Sequence, residues 1–174
     1  MADINLTVPV ATAEAGYRTE PVWDLIELLF FAYRDFVGDA DAVLAKFGFG
    51  RAHHRVLHFV NRNPGMKVAE LLGILKITKQ SLGRVLKQLI DEGYVEQKEG
   101  ATDRRQRLLF VTARGEALAL RLAGLQSARI GRALAGSGDR DTARRFLVAM
   151  LDPGQRDGVL RLVDRADPAR RRRT

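Results

Sequence analysis

The stretch that decides the fold is Thr78–Glu92, TKQSLGRVLKQLIDE, which ends just before Gly93. Its apolar residues recur at the spacing of one helical face: Leu82, Val85, Leu86, Leu89 and Ile90. Its opposite face is polar or basic until Asp91: Lys79, Gln80, Gly83, Arg84 and Lys87. A first helical turn favours an acidic residue, yet this one holds a lysine, which suits an external anion. The pattern predicts a helix that packs by one face and turns the other toward solvent or a polyanion.

A β-hairpin is predicted directly after this helix. Tyr94–Lys98 and Arg107–Val111 have the composition of strands, and Glu99–Arg105 forms the turn between them. Three arginines lie within four positions at its tip, Arg104, Arg105 and Arg107. They are too polar for a core, so the tip is either a solvated turn or an electrostatic finger suited to a DNA minor groove.

Helices are predicted on both sides of this segment. Three precede it, at about 22–46, Arg51–Arg62 and Lys67–Leu75. Thr112 is a plausible N-cap for a long helix to about Leu134, and shorter helices follow at about 140–151 and 155–165, after the turn Asp152-Pro153-Gly154. The helix at 22–46 is apolar nearly all round, so it packs either against a partner chain or inside the core. The expected class is mainly α with a small β-wing: helix, helix, helix, two-stranded wing, helix, which is the order of a winged helix-turn-helix domain.

Charge and composition narrow the possible partners. The 174 residues carry a net charge of +8, although the first 46 hold three basic and eight acidic side chains. A basic surface of this kind indicates either a polyanionic partner or no special partner at all. The chain has no cysteine, which excludes disulfides, zinc ribbons and thiol switches and fits a cytoplasmic protein. No membrane span or secretory signal is expected, and residues 1–20 are predicted to be a flexible N-terminus.

From Arg51 to Gly115 the sequence resembles the MarR family of bacterial regulators. The most specific match is Asp103-x-Arg105, followed after five residues by Val111-Thr112-x-x-Gly115, which is similar to the family's wing signature. The resemblance implies a winged helix-turn-helix region at 51–112. It also implies an N-terminal dimerisation helix at 21–47, C-terminal dimerisation helices at 113–165 and a basic tail at 166–174.

The same resemblance assigns roles to individual residues. It places the major-groove contacts on the predicted helix, at Thr78, Lys79, Gln80, Ser81 and Arg84. It places Arg105 in the minor groove and makes Asp103 a brace for the wing, while Lys87, Arg104 and Arg107 are further candidate contacts. Members of the family often hold small aromatic molecules between the dimerisation helices and the DNA-binding lobe, so an effector is a possible partner.

The sequence departs from the family pattern at two places. The turn before the recognition helix commonly has glycine, whereas this chain has Lys76. Because a residue other than glycine is uncommon at positive φ, a turn of different geometry is expected there. The third helix also begins near Met66-Lys67 without a serine, threonine or aspartate cap.

All three histidines, His53, His54 and His58, lie in the second predicted helix. His54 and His58 share one helical face, which is a spacing that metal sites use. Two ligands do not make a site, however, and no metal or other cofactor is expected. The alternatives are polar positions under a dimer or around a ligand pocket, and a proton switch.

Three classes of function remain. The first is a homodimeric regulator that binds duplex DNA at a palindromic or near-palindromic operator. The second is a basic architectural or RNA-binding protein without operator specificity, and the third is a protein-interaction module. RNA recognition usually needs exposed aromatic rings, and residues 76–107 contain only Tyr94. No phosphate loop, nucleophile elbow or buried carboxylate pair is present, so the chain is not expected to be an enzyme.

Overall fold

The computed structural model describes residues 20–100 and 106–166, which form seven α-helices and three strands. In chain order these are α1 (Trp23–Leu44), α2 (Arg51–Arg62), β1 (Met66–Lys67), α3 (Val68–Leu75), α4 (Lys79–Asp91), β2 (Val95–Glu99), β3 (Arg107–Val111), α5 (Ala113–Ser137), α6 (Arg140–Ala149) and α7 (Pro153–Arg165). The expected class, mainly helical with a small β-wing, is confirmed. Within these residues, no helix is both long and apolar enough to cross a bilayer.

The wing is a three-stranded antiparallel sheet with the strand order β1-β3-β2. The predicted hairpin is confirmed, with Val95 opposite Val111 and Glu99 opposite Arg107. Strand β1 was not predicted, because Met66 and Lys67 were assigned to the start of the third helix. They pair instead with Leu109 and Leu108 of β3. This pairing joins the wing to the helical body.

The core lies where α2, α3, α4 and α5 meet the sheet. The predicted apolar stripe of α4 faces it, with Leu82, Leu86 and Leu89 buried and Val85 and Ile90 half-buried. Helix α2 contributes Val56, Leu57 and Val60, none of which is exposed. Helix α4 is therefore held along one whole face, which fixes its opposite face toward solvent.

Thr112 joins the wing to α5. Its hydroxyl oxygen accepts a hydrogen bond from the Gly115 amide at 3.1 Å, which confirms the predicted N-cap. The same hydroxyl donates to the Gly93 carbonyl at 2.7 Å, and the Thr112 amide donates to the Tyr94 carbonyl at 3.1 Å. One side chain thus ties the end of the recognition segment to the long helix.

Helix α1 packs on the body only by its C-terminal half, where Val37, Ala40 and Leu44 are buried. The N-terminal half exposes nine large apolar side chains in the single chain: Val22, Trp23, Leu25, Ile26, Leu28, Leu29, Phe30, Phe31 and Tyr33. The alternative of a central core helix is therefore wrong. A helix this apolar needs cover that its own chain does not supply.

The C-terminal helices differ in detail from the prediction. Helix α5 continues to Ser137, and Gly138 then adopts a positive φ of 96°. Helix α7 begins at Pro153 instead of about 155, because Asp152 caps its first turn by accepting from the Gly154 amide at 2.8 Å. Proline suits this position, since a first-turn amide has no partner within its helix. The predicted flexible N-terminus and basic tail lie outside the described residues, apart from Glu20 and Ala166.

Candidate nucleic-acid interface

The exposed face of α4 carries the side chains that the sequence singled out. Lys79, Gln80, Arg84 and Lys87 are exposed, and Gly83 lies open among them. A Cβ added at Gly83 would meet no atom within 4 Å, so no contact inside the chain requires glycine there. The arrangement is a smooth basic face whose shape permits close approach of another surface.

Thr78 and Ser81 organise the start of this helix. Thr78 is the N-cap and precedes the first helical residue, Lys79, so the predicted start at Thr78 was one residue early. Its Oγ1 accepts from the Ser81 amide at 3.1 Å and donates to the Ser81 hydroxyl at 2.9 Å. Both side chains are thus occupied by the cap in the free protein. Each has acceptor capacity left, so either could also meet a phosphate or base donor.

Two of the candidate cations are already paired. Lys87 forms an ion pair with Asp91 one turn along α4, and the Arg107 guanidinium lies 2.9 Å from Glu99 across the hairpin. No ion pair of Arg84 occurs among the described residues, so it offers an unengaged guanidinium from the middle of the face. Such a fork can bond a guanine edge in the major groove.

The base of the wing is well defined. Beyond the paired strands, the Gly100 amide donates to the Gln106 carbonyl at 3.0 Å and so narrows the loop at residues 101–105. Asp103, Arg104 and Arg105 belong to that loop and lie outside the described residues. Their roles in bracing the wing and entering the minor groove therefore stay predictions.

The turn between α3 and α4 does not follow the expectation for a lysine. Lys76 adopts the left-handed conformation, with φ 52° and ψ 43°, which is the geometry that glycine usually supplies. Its amide donates to the Leu72 carbonyl at 3.0 Å, and Arg55 Nη2 from α2 donates to the Leu75 carbonyl at 3.1 Å. These two bonds satisfy carbonyls at the end of α3 and hold the turn in place of glycine.

The start of α3 also finds a cap that the sequence did not indicate. The Glu70 carboxylate accepts from the Lys67 amide at 2.8 Å. This is half of a capping box, in which the residue at the third helical position reaches back to the N-cap amide. The missing serine or aspartate is thus partly compensated.

The three histidines separate into two environments. His53 Nδ1 accepts from the Gly50 amide at 3.1 Å, so its ring proton lies on Nε2, which is 2.8 Å from Gln88 Oε1 on α4. The ring also stacks on Phe49 at 4.8 Å. Gln88 in turn donates to Glu92 at 3.0 Å. His53 therefore links α2 to the recognition helix and lines no pocket.

His54 and His58 line a cavity of about 220 Å³ between α1, α2 and α5. We call it the histidine cavity; its other walls are Tyr33, Phe36, Val37, Arg55, Phe59 and Gln126. Burial lowers the pKa of both histidines, which opposes the attraction of Asp41 for a proton on His54. Both rings are therefore neutral near pH 7. No group of three potential metal ligands lies in the parts of the chain that are described.

Two residues behind the interface, Arg55 and Gln88, were missed by sequence reasoning. Arg55 bonds a backbone carbonyl 20 residues away, and Gln88 bonds a histidine 35 residues away. Neither partner could be found from periodicity, because Arg55 is exposed and Gln88 lies beside the apolar stripe. The only available signal was that both are long polar residues on helices that the domain order brings together.

Comparison with known proteins follows from this geometry. A family model described as MarR family matches residues 47–106. The chain is 46% identical over 133 residues to the HTH-type transcriptional regulator PetP of Rhodobacter capsulatus, which covers 75% of this chain and 80% of that protein.

Solved structures agree on the fold. FabT of Streptococcus pneumoniae in complex with DNA superposes with a TM-score of 0.63 at 16% identity, over 72% of this chain and 90% of FabT. The MarR family protein Rv2887 of Mycobacterium tuberculosis in complex with p-aminosalicylic acid superposes with a TM-score of 0.50 at 27% identity. That match covers 73% of this chain and 93% of Rv2887.

Proposed function

The chain belongs to the MarR family of DNA-binding transcription regulators, and we propose that it works as a homodimer on a palindromic or near-palindromic operator, under the control of a small ligand. The relatives that it matches are regulators, which confirms the expectation that it is not an enzyme. Its place of action is the cytoplasm, where bacterial DNA is found.

The observation that carries the DNA-binding proposal is the exposed face of α4. Its buried stripe fixes the orientation of the helix, and the first ten residues of the opposite face contain no acidic side chain. The proposed major-groove and wing contacts are Thr78, Lys79, Gln80, Ser81, Arg84, Lys87, Arg104, Arg105 and Arg107. Arg84 is the proposed base-edge contact, whereas Lys87 and Arg107 must give up or share their acidic partners to reach phosphates.

The uncovered apolar half of α1 supports the homodimer. Phe30 and Trp23 are 69% and 64% exposed, and exposed apolar residues on α5, α6 and α7, such as Leu120, Phe146 and Val163, extend the surface. A second copy offers the same apolar surface, and a two-fold dimer buries identical patches against each other. Two-fold symmetry places two recognition helices on successive turns of DNA, which accounts for a palindromic site.

The histidine cavity supports control by a ligand. It lies between α1 and α5 on one side and α2 on the other, so it borders both the proposed dimer helices and the DNA-binding lobe. A compound held there would contact both parts at once. The related Rv2887 structure contains p-aminosalicylic acid, a compound of suitable size for a cavity of about 220 Å³.

The decisive experiment is selection of duplexes from a randomised DNA library by the purified protein, followed by binding at several salt concentrations. A regulator enriches a motif with two related half-sites and binds it at least about a thousandfold more tightly than random duplex. Single-stranded RNA of equal length is the control. Equal affinity for selected duplex, random duplex and RNA would favour the architectural or RNA-binding alternative.

A further inference from the structure

Arg55 lies between the histidine cavity and the turn that leads into α4. Its Nη2 donates to the Leu75 carbonyl at 3.1 Å, while the rest of the side chain forms part of the cavity wall. No other described lining residue of this cavity bonds the turn. Arg55 is thus the one residue through which a change inside the cavity directly reaches the helix-turn-helix.

The Leu75 carbonyl is a sensitive place for such a contact. Leu75 is the last residue of α3, and only two residues, Lys76 and Ile77, separate it from Thr78, the cap of α4. Carbonyls at a helix end have no donor within the helix, so a guanidinium there satisfies an acceptor and matches the helix dipole. Lys76 holds a backbone conformation that disfavours side chains, so the turn depends on contacts of this kind.

The chemistry of the cavity points to one class of occupant. Tyr33, Phe36 and Phe59 offer aromatic surface to a flat ring. Arg55 is the only lining residue with a permanent charge, because burial keeps His54 and His58 neutral. The nearby Asp41 carboxylate is already bonded by Arg51 at 2.8 Å. A small aromatic ring bearing one negative group complements these walls.

We propose that an aromatic carboxylate in the histidine cavity takes the Arg55 guanidinium away from the Leu75 carbonyl and thereby releases the turn before the recognition helix. A carboxylate bonds guanidinium more strongly than a neutral carbonyl does, so the exchange is favourable. The freed turn no longer fixes α4, and affinity for DNA falls. This inference rests on the proposed function, whose ligand and regulation it specifies, and it makes Arg55 a positioning residue that touches no DNA.

The test uses the full chain with benzoate as the probe and benzamide as its neutral counterpart. Affinity for the selected duplex is measured with and without each probe, in wild type, Arg55→Gln, Arg55→Lys and Arg51→Gln. Arg51 is the matched control, since it lies one turn earlier on α2 and is exposed but does not bond the turn. Binding of each probe is also measured by calorimetry without DNA, and thermal unfolding verifies that each variant is folded.

We expect benzoate to weaken DNA binding of the wild type by at least about fivefold and benzamide to have no such effect. Arg55→Gln should bind DNA more weakly at the outset and lose the response to benzoate, whereas Arg51→Gln should keep it. Arg55→Lys keeps the charge on a shorter donor and should respond partially. A full benzoate response in Arg55→Gln, or no benzoate binding by the wild type, would overturn the inference.

Failure of the proposed function has a different signature. In that case the wild type selects no duplex at all, while calorimetry still reports whether benzoate binds and whether Arg55→Gln abolishes that binding. Loss of benzoate binding in this variant supports the role of Arg55 in the cavity, and unchanged binding contradicts it.

Discussion

Gly115 packs directly against the carbonyl oxygen of Tyr94, so closely that a Cβ on Gly115 would lie 1.9 Å from that oxygen. The contact occurs where α5 leaves the wing, beside the bonds that Thr112 makes to Gly93 and Tyr94. The motif Val111-Thr112-x-x-Gly115 is therefore a packing requirement. Threonine caps the helix, and glycine lets its first turn approach the backbone of the recognition segment.

Replacement of Gly115 should destabilise the fold. Gly115→Ala forces two backbone segments apart, and we expect a loss of about 3 kcal/mol in the free energy of unfolding. Gly83→Ala is the matched control, because its Cβ would enter open space within a helix and should stabilise the chain by up to about 1 kcal/mol. Urea denaturation of both variants measures the difference. Equal stability of the two variants would contradict the close contact.

Arg84 should determine base preference. We expect Arg84→Ala to weaken operator binding by about 1–3 kcal/mol and to relax the preference at one base pair of each half-site. Titrations of the selected duplex and of random duplex measure the effect, with Lys87→Ala as the control. Lys87 is paired with Asp91, so its loss should be smaller and similar on both duplexes. An equal loss on both duplexes for Arg84→Ala would make Arg84 a phosphate contact only.

Helix α1 should hold the dimer together. Phe30→Glu places a charge on a side chain that is 69% exposed in the single chain, so it should separate the subunits without disturbing the core. Sedimentation at micromolar concentration should give about twice 19.4 kDa for the wild type and about one such mass for the variant. Lys98→Glu on the wing serves as a charge-changing control and should remain dimeric. A monomeric wild type would remove the basis for a palindromic site.

Arg105 should favour operators with A·T-rich flanks. A narrow A·T-rich minor groove concentrates negative potential, which attracts an inserted guanidinium. We expect Arg105→Ala to lower affinity most on such flanks and to leave the dimer intact. The measurement compares operators that differ only in flank composition, at fixed salt, for alanine variants of Arg104, Arg105 and Arg107. If the Arg105 variant keeps the flank preference of the wild type, the wing tip is a solvated turn.

Stability should fall as the pH drops below the usual pKa of histidine, about 6.5. Burial lowers the pKa of His54 and His58 in the folded chain, so the unfolded chain binds more protons in this range. Stability is fully present above about pH 6.5 and is lost progressively toward the lowered pKa values. Urea midpoints at pH 7.5, 6.5 and 5.5 measure the slope, which His58→Gln should reduce. A slope unchanged by His58→Gln would show that this ring does not cause the effect.

The parts of the fold that follow from short-range patterns were predictable. The apolar stripe of α4, the hairpin and the Thr112 cap each depend on residues a few positions apart. Strand β1 was not predictable, because Met66 and Lys67 are too few to show alternation and owe their conformation to a strand more than 40 residues away. The left-handed Lys76 escaped for a similar reason, since contacts from Leu72 and Arg55 outweigh the preference for glycine.

The site divides in the same way. Exposed cations on α4 are visible in the sequence, because helical periodicity separates them from the stripe. The contacts from Arg55 to the Leu75 carbonyl and from His53 to Gln88 are not, because they join helices whose relative placement only the complete fold decides. Sequence therefore located the surface, and the structure added the residues that hold it in position.

The uncovered half of α1 has a consequence for how the subunits meet. The ribosome releases this helix before α5, α6 and α7, so its apolar surface is the first to be made and the last to be covered. Two chains growing on neighbouring ribosomes of one messenger RNA present this surface to each other at high local concentration. We therefore expect subunits from the same transcript to pair with one another, and mixed dimers with related regulators to be rare.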